Sequence, residues 1–516
     1  MASPNPTEEN WNPSSLLIYN ALPSHQDKDP TISDAKPTAD TRTDFYDRSL
    51  TSRRYALVGM ACSSIFSCLC IIAGIVTLAS HGIKGVAPLN MYNASILQVE
   101  ILTLILDLIV TLCTESTGFV HGISLRSALA SESRLRFNTN LRLLSAARGW
   151  HNPNGTLLNG ISAVLLIISY SSASVVICLD EPNSLFPIIP QGPIAIAGIP
   201  LLILGIALLL QVIIALSGMQ AIKILIWSSS PFDLTAALIY HTQLTPATFR
   251  CMRRVSDLDS IQKVVIFLWV IVAACAGWAA LVMYIWTRFY SSKPLNNPLT
   301  LQGWSLFRNL DGNYIMYGLP SGSLEGWIVL FVNIAVVQGP LTLGLHCSEL
   351  IANVIRDERQ WRCATRSQGL RVATNPLKPI FTHPLCLLLF IAKPFLHWMF
   401  GLSFDIATDA TDDILDRFWI TMYTAQIWNL CIALFILACF STFISLRRPH
   451  GPQPAAYGHL QTLANLVDEW SPVMWWGHKD DGIPYCHAGT SDHPLPDVKM
   501  DCVYAGSGAG SLVPLS

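Results

Sequence analysis

Residues 56–79 read ALVGMACSSIFSCLCIIAGIVTLA and follow Arg53, Arg54 and Tyr55. No charged side chain interrupts the run. At 1.5 Å per residue it is long enough to cross the ~30 Å hydrocarbon core of a bilayer as one helix. Seven comparable runs follow, near 96–117, 157–178, 194–216, 264–286, 326–345, 380–401 and 419–444. The run at 380–401 is the most interrupted, because Lys393, Pro394 and His397 lie inside it. Seven spans with one re-entrant segment is therefore the competing reading. The expected fold is an all-α, polytopic integral membrane bundle of about eight transmembrane helices.

Composition points the same way. Of the 516 residues, 51% are apolar and 13% charged, and that charged share is about half of what a soluble domain carries. A net charge of −2 supplies no field for nucleic acid, and no such partner is expected. Nine of the fourteen cysteines (Cys62, Cys68, Cys70, Cys113, Cys178, Cys275, Cys386, Cys431 and Cys439) fall inside the apolar runs, where a thiol behaves as a small hydrophobe. There is no CxxC pair and no Cys/His zinc spacing, so the sequence names no metal ligands and no cofactor. Cys251, Cys347 and Cys363 lie near membrane borders and are candidates for palmitoylation, against the plainer reading of unmodified thiols. The first apolar run begins after some 54 polar residues, too late for a cleavable signal peptide, and it should persist as an anchor.

The connections between the runs alternate in charge. The amino tail, whose six Lys and Arg residues end in Arg53 and Arg54, the 122–155 loop, the 223–263 loop, the 346–379 loop and the tail from Arg447 fall on one side, and that side carries 26 of the 32 Lys and Arg residues. The opposite loops carry five, and Lys393 is intramembrane. By the positive-inside rule both termini are cytosolic, which requires an even number of spans and favours eight. Asn93-Ala94-Ser95 then lies in an exoplasmic loop and is a glycosylation candidate. The same motif at Asn154 lies on the cytosolic side and should stay bare.

Three regions result: a disordered cytosolic tail over 1–54, the bundle over 55–446, and a cytosolic tail over 447–516. Leu125, Leu129, Leu135, Leu141 and Leu144 stand among arginines. A helix there would lie either on the anionic lipids of the inner leaflet or against the protein's own loops. In the last tail, Leu460, Leu463, Val467 and Trp470 recur at helical spacing and predict an amphipathic helix near 457–470. That helix would dock on the chain itself, on lipid or on a protein partner.

Leu125-Arg126-Ser127-Ala128-Leu129, the string Arg136-Phe137-Asn138-Thr139-Asn140-Leu141-Arg142-Leu143, and Gly458-His459-Leu460-Gln461-Thr462-Leu463 with Asp468-Glu469-Trp470 and Trp476-Gly477-His478-Lys479 resemble a signature of fungal multi-spanning membrane proteins with no assigned activity. The resemblance extends over most of the chain beyond residue 50. It implies a fungal source and no catalytic residues.

Ionisable groups inside a bilayer are the residues to examine for chemistry, because holding a charge there costs several kcal/mol unless it is paired. Glu100, Thr103, Asp107, Thr111 and Thr114 recur at steps of three and four and share one helix face. Lys393 and His397, one turn apart around Pro394, could face that stripe from the seventh span. Such residues serve either as a proton or cation relay or as interhelical glue worth around 1 kcal/mol per bond. Asn333, Gln338, Gln426 and Asn429 fit the glue role. Asp405, Asp409, Asp412, Asp413 and Asp416 have DxxxD spacing, as in diphosphate-binding prenyltransferases, but they fall on the wrong face and lack a facing cluster. The chain contains no P-loop, HExxH or GxSxG, and no repeat between its halves is visible. These features predict a multi-pass membrane protein without enzymatic activity, a transporter-like carrier or a membrane-organising protein, in the plasma membrane or an endomembrane. The alternative is an intramembrane enzyme, such as a cyclase in a fungal metabolic pathway, with Glu100 or Asp107 as proton donor.

Overall fold

The computed structural model describes residues 44–82, 86–88, 96–135, 145–179, 194–224, 226–228, 230–240, 259–289, 304–307, 313–320, 324–371, 383–408, 417–446, 454, 459–471, 473–481, 486–499, 502, 504 and 505. Asn93, Cys251, Leu141, Leu144 and Asp409–Asp416 lie outside them. Among the described residues eight helices are long and apolar enough to cross a membrane. They are α1 (Asp44–His81), α2 (Ile96–Ser131), α3 (Thr156–Val176), α4 (Gly198–Gln220), α6 (Asp259–Phe289), α7 (Leu324–Cys347), α9 (Pro384–Leu402) and α10 (Thr424–Leu446). Shorter helices α5 (Pro231–Tyr240), α8 (Glu349–Ala364) and α11 (Leu460–Leu466) lie between and after them. The doubtful seventh span is continuous: helix runs through Pro394, although proline offers no N–H to the preceding turn. Outward faces carry Ile65, Leu69, Ile72, Val76, Ile266, Val336 and Ile436, all exposed. In a helix-rich chain of this kind such faces belong in hydrocarbon.

Two of the expected spans begin later than their hydropathy. Residues 194–197 form strand β3 before α4, and 417–423 form β7 before α10. The apolar residues of these strands read as part of the run, although their backbone pairs sideways. Ten short strands make three sheets among the described residues. The first has the order β1-β3-β2, from Val86–Pro88, Ile194–Ala197 and Ile177–Leu179. The second has the order β4-β7-β6, from Tyr314–Pro320, Arg417–Tyr423 and Phe404–Thr408. Every strand of these two comes from a connection that the loop charges place on the exoplasmic side. The third, β10-β9-β8-β5, joins Tyr504–Ala505, Cys486–Ser491, Val473–Asp480 and Leu370–Arg371, all from the opposite face.

The first two sheets reveal an internal repeat. In one, Ile196 pairs with both Ala87 and Ile177. In the other, Met422 pairs with both Ile315 and Phe404. Each third strand runs directly into a helix of 23 residues. Helix packing follows suit: α1 lies on α4 as α6 lies on α10, and α3 on α4 as α9 on α10. Between the halves α2 meets α9 and α3 meets α7, contacts that exchange when the halves are swapped, while α3 meets α9. The bundle is thus two four-span units of the same orientation, related by an approximate two-fold axis along the membrane normal.

On the face that the loop charges assign to the cytosol, a separate apolar cluster unites four segments. Ala130, Ile226, Phe232, Trp361, Leu370, Leu460, Leu463, Met474 and Trp476 are all buried in it. The tail helix expected over 457–470 forms only over 460–466, and it docks on this module against α5. The arginine-flanked leucines also turn inward: Leu125 and Leu129 are buried within α2, and the Arg126 guanidinium donates to the Ser228 carbonyl. Asn154 is buried, its amide donating to the Gly218 carbonyl and its Oδ1 accepting from Ser124, so no glycan attaches there in this fold.

Candidate polar site between the two halves

The stripe on α2 is longer than its five named residues. Glu100, Thr103, Asp107, Thr111, Thr114, Thr117 and His121 are all buried. From 100 to 121 the helix rises about 32 Å, close to the thickness of the hydrocarbon core. The stripe faces the other spans of the bundle and runs from one side to the other. Asp107 is wholly inaccessible, and neither carboxyl oxygen meets a hydrogen-bond partner among the described residues.

The facing cation does not sit where the sequence suggested. The Lys393 ammonium donates to Glu115 Oε1 at 2.5 Å and to Glu349, rather than to Glu100 or Asp107. The reason is register: α9 crosses α2 nearer the end of the stripe at which α8 begins. His346, in the last turn of α7, brings Nδ1 to 3.6 Å from Glu115 and 3.8 Å from Glu349. Lys393 is 3% exposed, whereas the Glu115 and Glu349 side chains are 31% and 38% exposed. A buried ammonium thus sits behind two carboxylates that reach the surface.

One turn further into the bundle His397 stacks on Tyr170, with ring centroids 3.7 Å apart and planes at 12°. Tyr170 stands seven residues before Ile177 and His397 seven before Phe404, so these rings occupy equivalent positions in the two halves and meet at the approximate axis. Each is held by the equivalent neighbouring helix of its own half. The Tyr170 hydroxyl bonds Thr111 at 3.1 Å and Thr114 at 3.2 Å on α2. His397 Nδ1 lies 3.2 Å from Gln338 Nε2 on α7, and Gln338 also donates toward Ser174 at 3.4 Å. Polar groups therefore succeed one another from the partly exposed carboxylates and Lys393, past the paired rings one turn along the same helix, to the stripe that contains Asp107.

Of the four candidates, Lys393 and His397 join this site directly; Asp107 lies one turn from Thr111, whose hydroxyl donates to the Asp107 backbone carbonyl, and its carboxyl bonds to no other group among the described residues. Glu100 lies farther along the stripe. The other proposed glue residues divide. Gln426 and Asn429 tie α10 to the carbonyls of Ser305 and Phe307, while Asn333 bonds its own helix on an exposed face. Sequence reading missed Glu115, His346, Glu349 and Tyr170. Glu115 was detectable as the residue four after Thr111, but Glu349 and His346 sit past the end of the apolar run and read as loop. Cys347, a palmitoylation candidate, is buried. No protein-family model matches the chain, and no curated protein or solved structure is similar to it.

Proposed function

We propose that the chain is a secondary carrier for a cationic solute, with its site at the interface between the two four-span halves. The observation that carries this reading is the set of buried polar groups on α2, α3, α7 and α9, which gather where the repeats meet. Carriers built from parallel repeats place their sites there, near mid-depth, so that rocking of one half on the other exposes the site to each side in turn. The charge pattern supports a cation: an incoming solute meets the Glu115 and Glu349 carboxylates first, and it competes with the Lys393 ammonium for them. Release of Lys393 from the carboxylates would then be linked to occupancy, and the stacked Tyr170 and His397 form the pivot at the axis.

The test uses cysteines placed at Thr111 and Gln338, with a charged thiosulfonate reagent added to either side of oriented proteoliposomes and labelling compared with the parent chain by mass spectrometry. Labelling of each position from both sides is expected. Labelling from one side only would favour an intramembrane enzyme or receptor, and labelling from neither would leave a solid bundle and overturn the carrier.

A further inference from the structure

The extramembrane module contains a second cluster of ligating atoms, far in sequence from the spans. Oδ1 or Oδ2 of Asp481, Sγ of Cys486 and Sγ of Cys502 all lie within 4.8 Å of one another. His478 brings Nε2 to 3.2 Å from Asp481 Oδ1. We propose that His478, Asp481, Cys486 and Cys502 form a structural zinc site that staples the end of the chain to the β8–β9 hairpin.

The donor chemistry selects the metal class. Two thiolates and an imidazole suit a borderline-soft ion, and with one carboxylate oxygen they complete the four-coordinate shell that zinc takes in closed structural sites. The imidazole is already oriented for the role. His478 Nδ1 lies 2.9 Å from the Tyr504 hydroxyl, which also accepts from the Lys499 backbone N–H at 2.8 Å. A ligating histidine is characteristically held this way by its other nitrogen, leaving Nε2 for the metal. Charge also balances. Two thiolates and the carboxylate bring three negative charges, zinc brings two positive, and the Lys499 ammonium supplies the third from its bonds to both Asp481 oxygens at 2.6 and 2.7 Å.

Topology explains why these positions converge. His478 lies on β8 where the pairing with β9 slips between His478 and Asp480, a bulge that re-aims the strand end. Cys486 opens β9, and Cys502 stands two residues before β10, which pairs parallel to β9 through Tyr504 and Cys486. A metal held here joins the hairpin closure to the last strand, which is otherwise fastened by a two-residue ladder. The spacing of 478, 481, 486 and 502 matches no standard zinc pattern, so the site emerges only from the fold.

The experiment uses the full chain, purified in nanodiscs through a histidine-free tag without added metal and dialysed against a weak chelator. Elemental analysis by mass spectrometry is expected to find about one zinc per chain, as a closed site of this class holds. Cys486→Ser, Cys502→Ser and His478→Ala should each lower zinc more than tenfold, while His478→Cys and the distant Cys439→Ser retain it. Because a variant that loses zinc could simply be misfolded, the wild-type chain is also loaded with Co²⁺. Thiolate-to-cobalt charge transfer with tetrahedral d–d bands is expected. Absence of metal with both thiols open to alkylation, a Cys486–Cys502 disulfide, or full zinc content in both serine variants would each overturn the proposal.

Discussion

The first half of the bundle, α1 to α4, and the second, α6 to α10, follow the same path and carry different chemistry on it. Both lead a short strand into the middle helices and return through a strand paired with two others in matching register. Yet four residues before each axial ring, α3 has Leu166 where α9 has Lys393. At the tight helix contact, α4 has Gly205 where α10 has Cys431, each seven residues into its helix. In the first half the long helix α2 continues unbroken to Ser131; its counterpart stops at Cys347 and restarts as α8, with Glu349 in the first turn of the new helix. The shared plan is therefore set by strand–helix boundaries and helix packing, which many apolar side chains satisfy. The unshared charges must instead be complementary across the interface, since Lys393 of one half answers Glu115 of the other.

The largest effect is expected from breaking that asymmetry at Lys393. Lys393→Met leaves Glu115 and Glu349 facing each other beside His346. Removing one partner of a buried ion group destabilises by about 3 kcal/mol. Equilibrium unfolding in mixed micelles should show that loss, and adding Glu115→Gln with Glu349→Gln should restore most of it. A single Lys393→Met chain as stable as wild type would mean that the cluster does not organise the interface.

A smaller effect separates the helix contacts. A β-carbon on Gly205 would fall 2.8 Å from both Ile71 Cγ1 and the Ser67 carbonyl, so α1 and α4 must part to admit it. Gly205→Ala should cost about 2 kcal/mol in unfolding free energy, an ordinary overpacking loss. The equivalent contact is already spaced by a side chain: Cys431 Sγ lies 3.9 Å from the Val272 carbonyl. Cys431→Ala should cost under about 1 kcal/mol. Equal losses at the two positions would mean that the halves pack alike after all.

The extramembrane module has no counterpart in the repeat, and it answers to pH on its own. Burial alone would raise the Asp468 carboxyl, but hydrogen bonds from His487 and Lys479, the lysine charge and the Thr490 backbone N–H together bring it down to about 2. A carboxylate depressed in the folded state stabilises fully above its unfolded value near pH 4, and the contribution disappears as pH falls toward 2. With only 19% of the side chain exposed, the effect is about 2 kcal/mol at neutral pH. Asp468→Asn should therefore speed amide exchange in residues 486–491 at pH 7. It should change about half as much near pH 3 and little below pH 2, and it should leave exchange in the spans untouched.

The eight spans were legible because hydrophobic length in a bilayer is a one-dimensional property. The polar stripe on α2 was legible through its helical period. The repeat was not: it resides in strand register, and Tyr170 and His397 share a place without sharing a side chain. The partner of Lys393 was also hidden, since two crossing helices bring residues together by depth and angle, neither of which spacing records. Likewise, the apolar residues of β3 and β7 resembled span, because composition does not register whether a backbone bonds within itself or sideways.

The smallest effect is expected at the axis, where Tyr170 and His397 can be made more alike. Tyr170→Phe keeps the stack and removes one hydroxyl, leaving Thr111 and Thr114 to bond only within α2, to the carbonyls of Asp107 and Thr111. Interhelical hydrogen bonds in membranes are worth about 1 kcal/mol, so unfolding should shift by no more than that. Tyr170→His goes further and places an imidazole in both halves. If the stack serves only as packing, the two variants should be equally stable and equally open to the thiosulfonate reagent at Thr111→Cys. If the rings are the pivot of a rocking motion, changing one of them should shift the ratio of labelling from the two sides while stability stays the same. That separation is informative because a packing role leaves the balance of labelling where it was, whereas a pivot sets the balance between two arrangements of one stable fold.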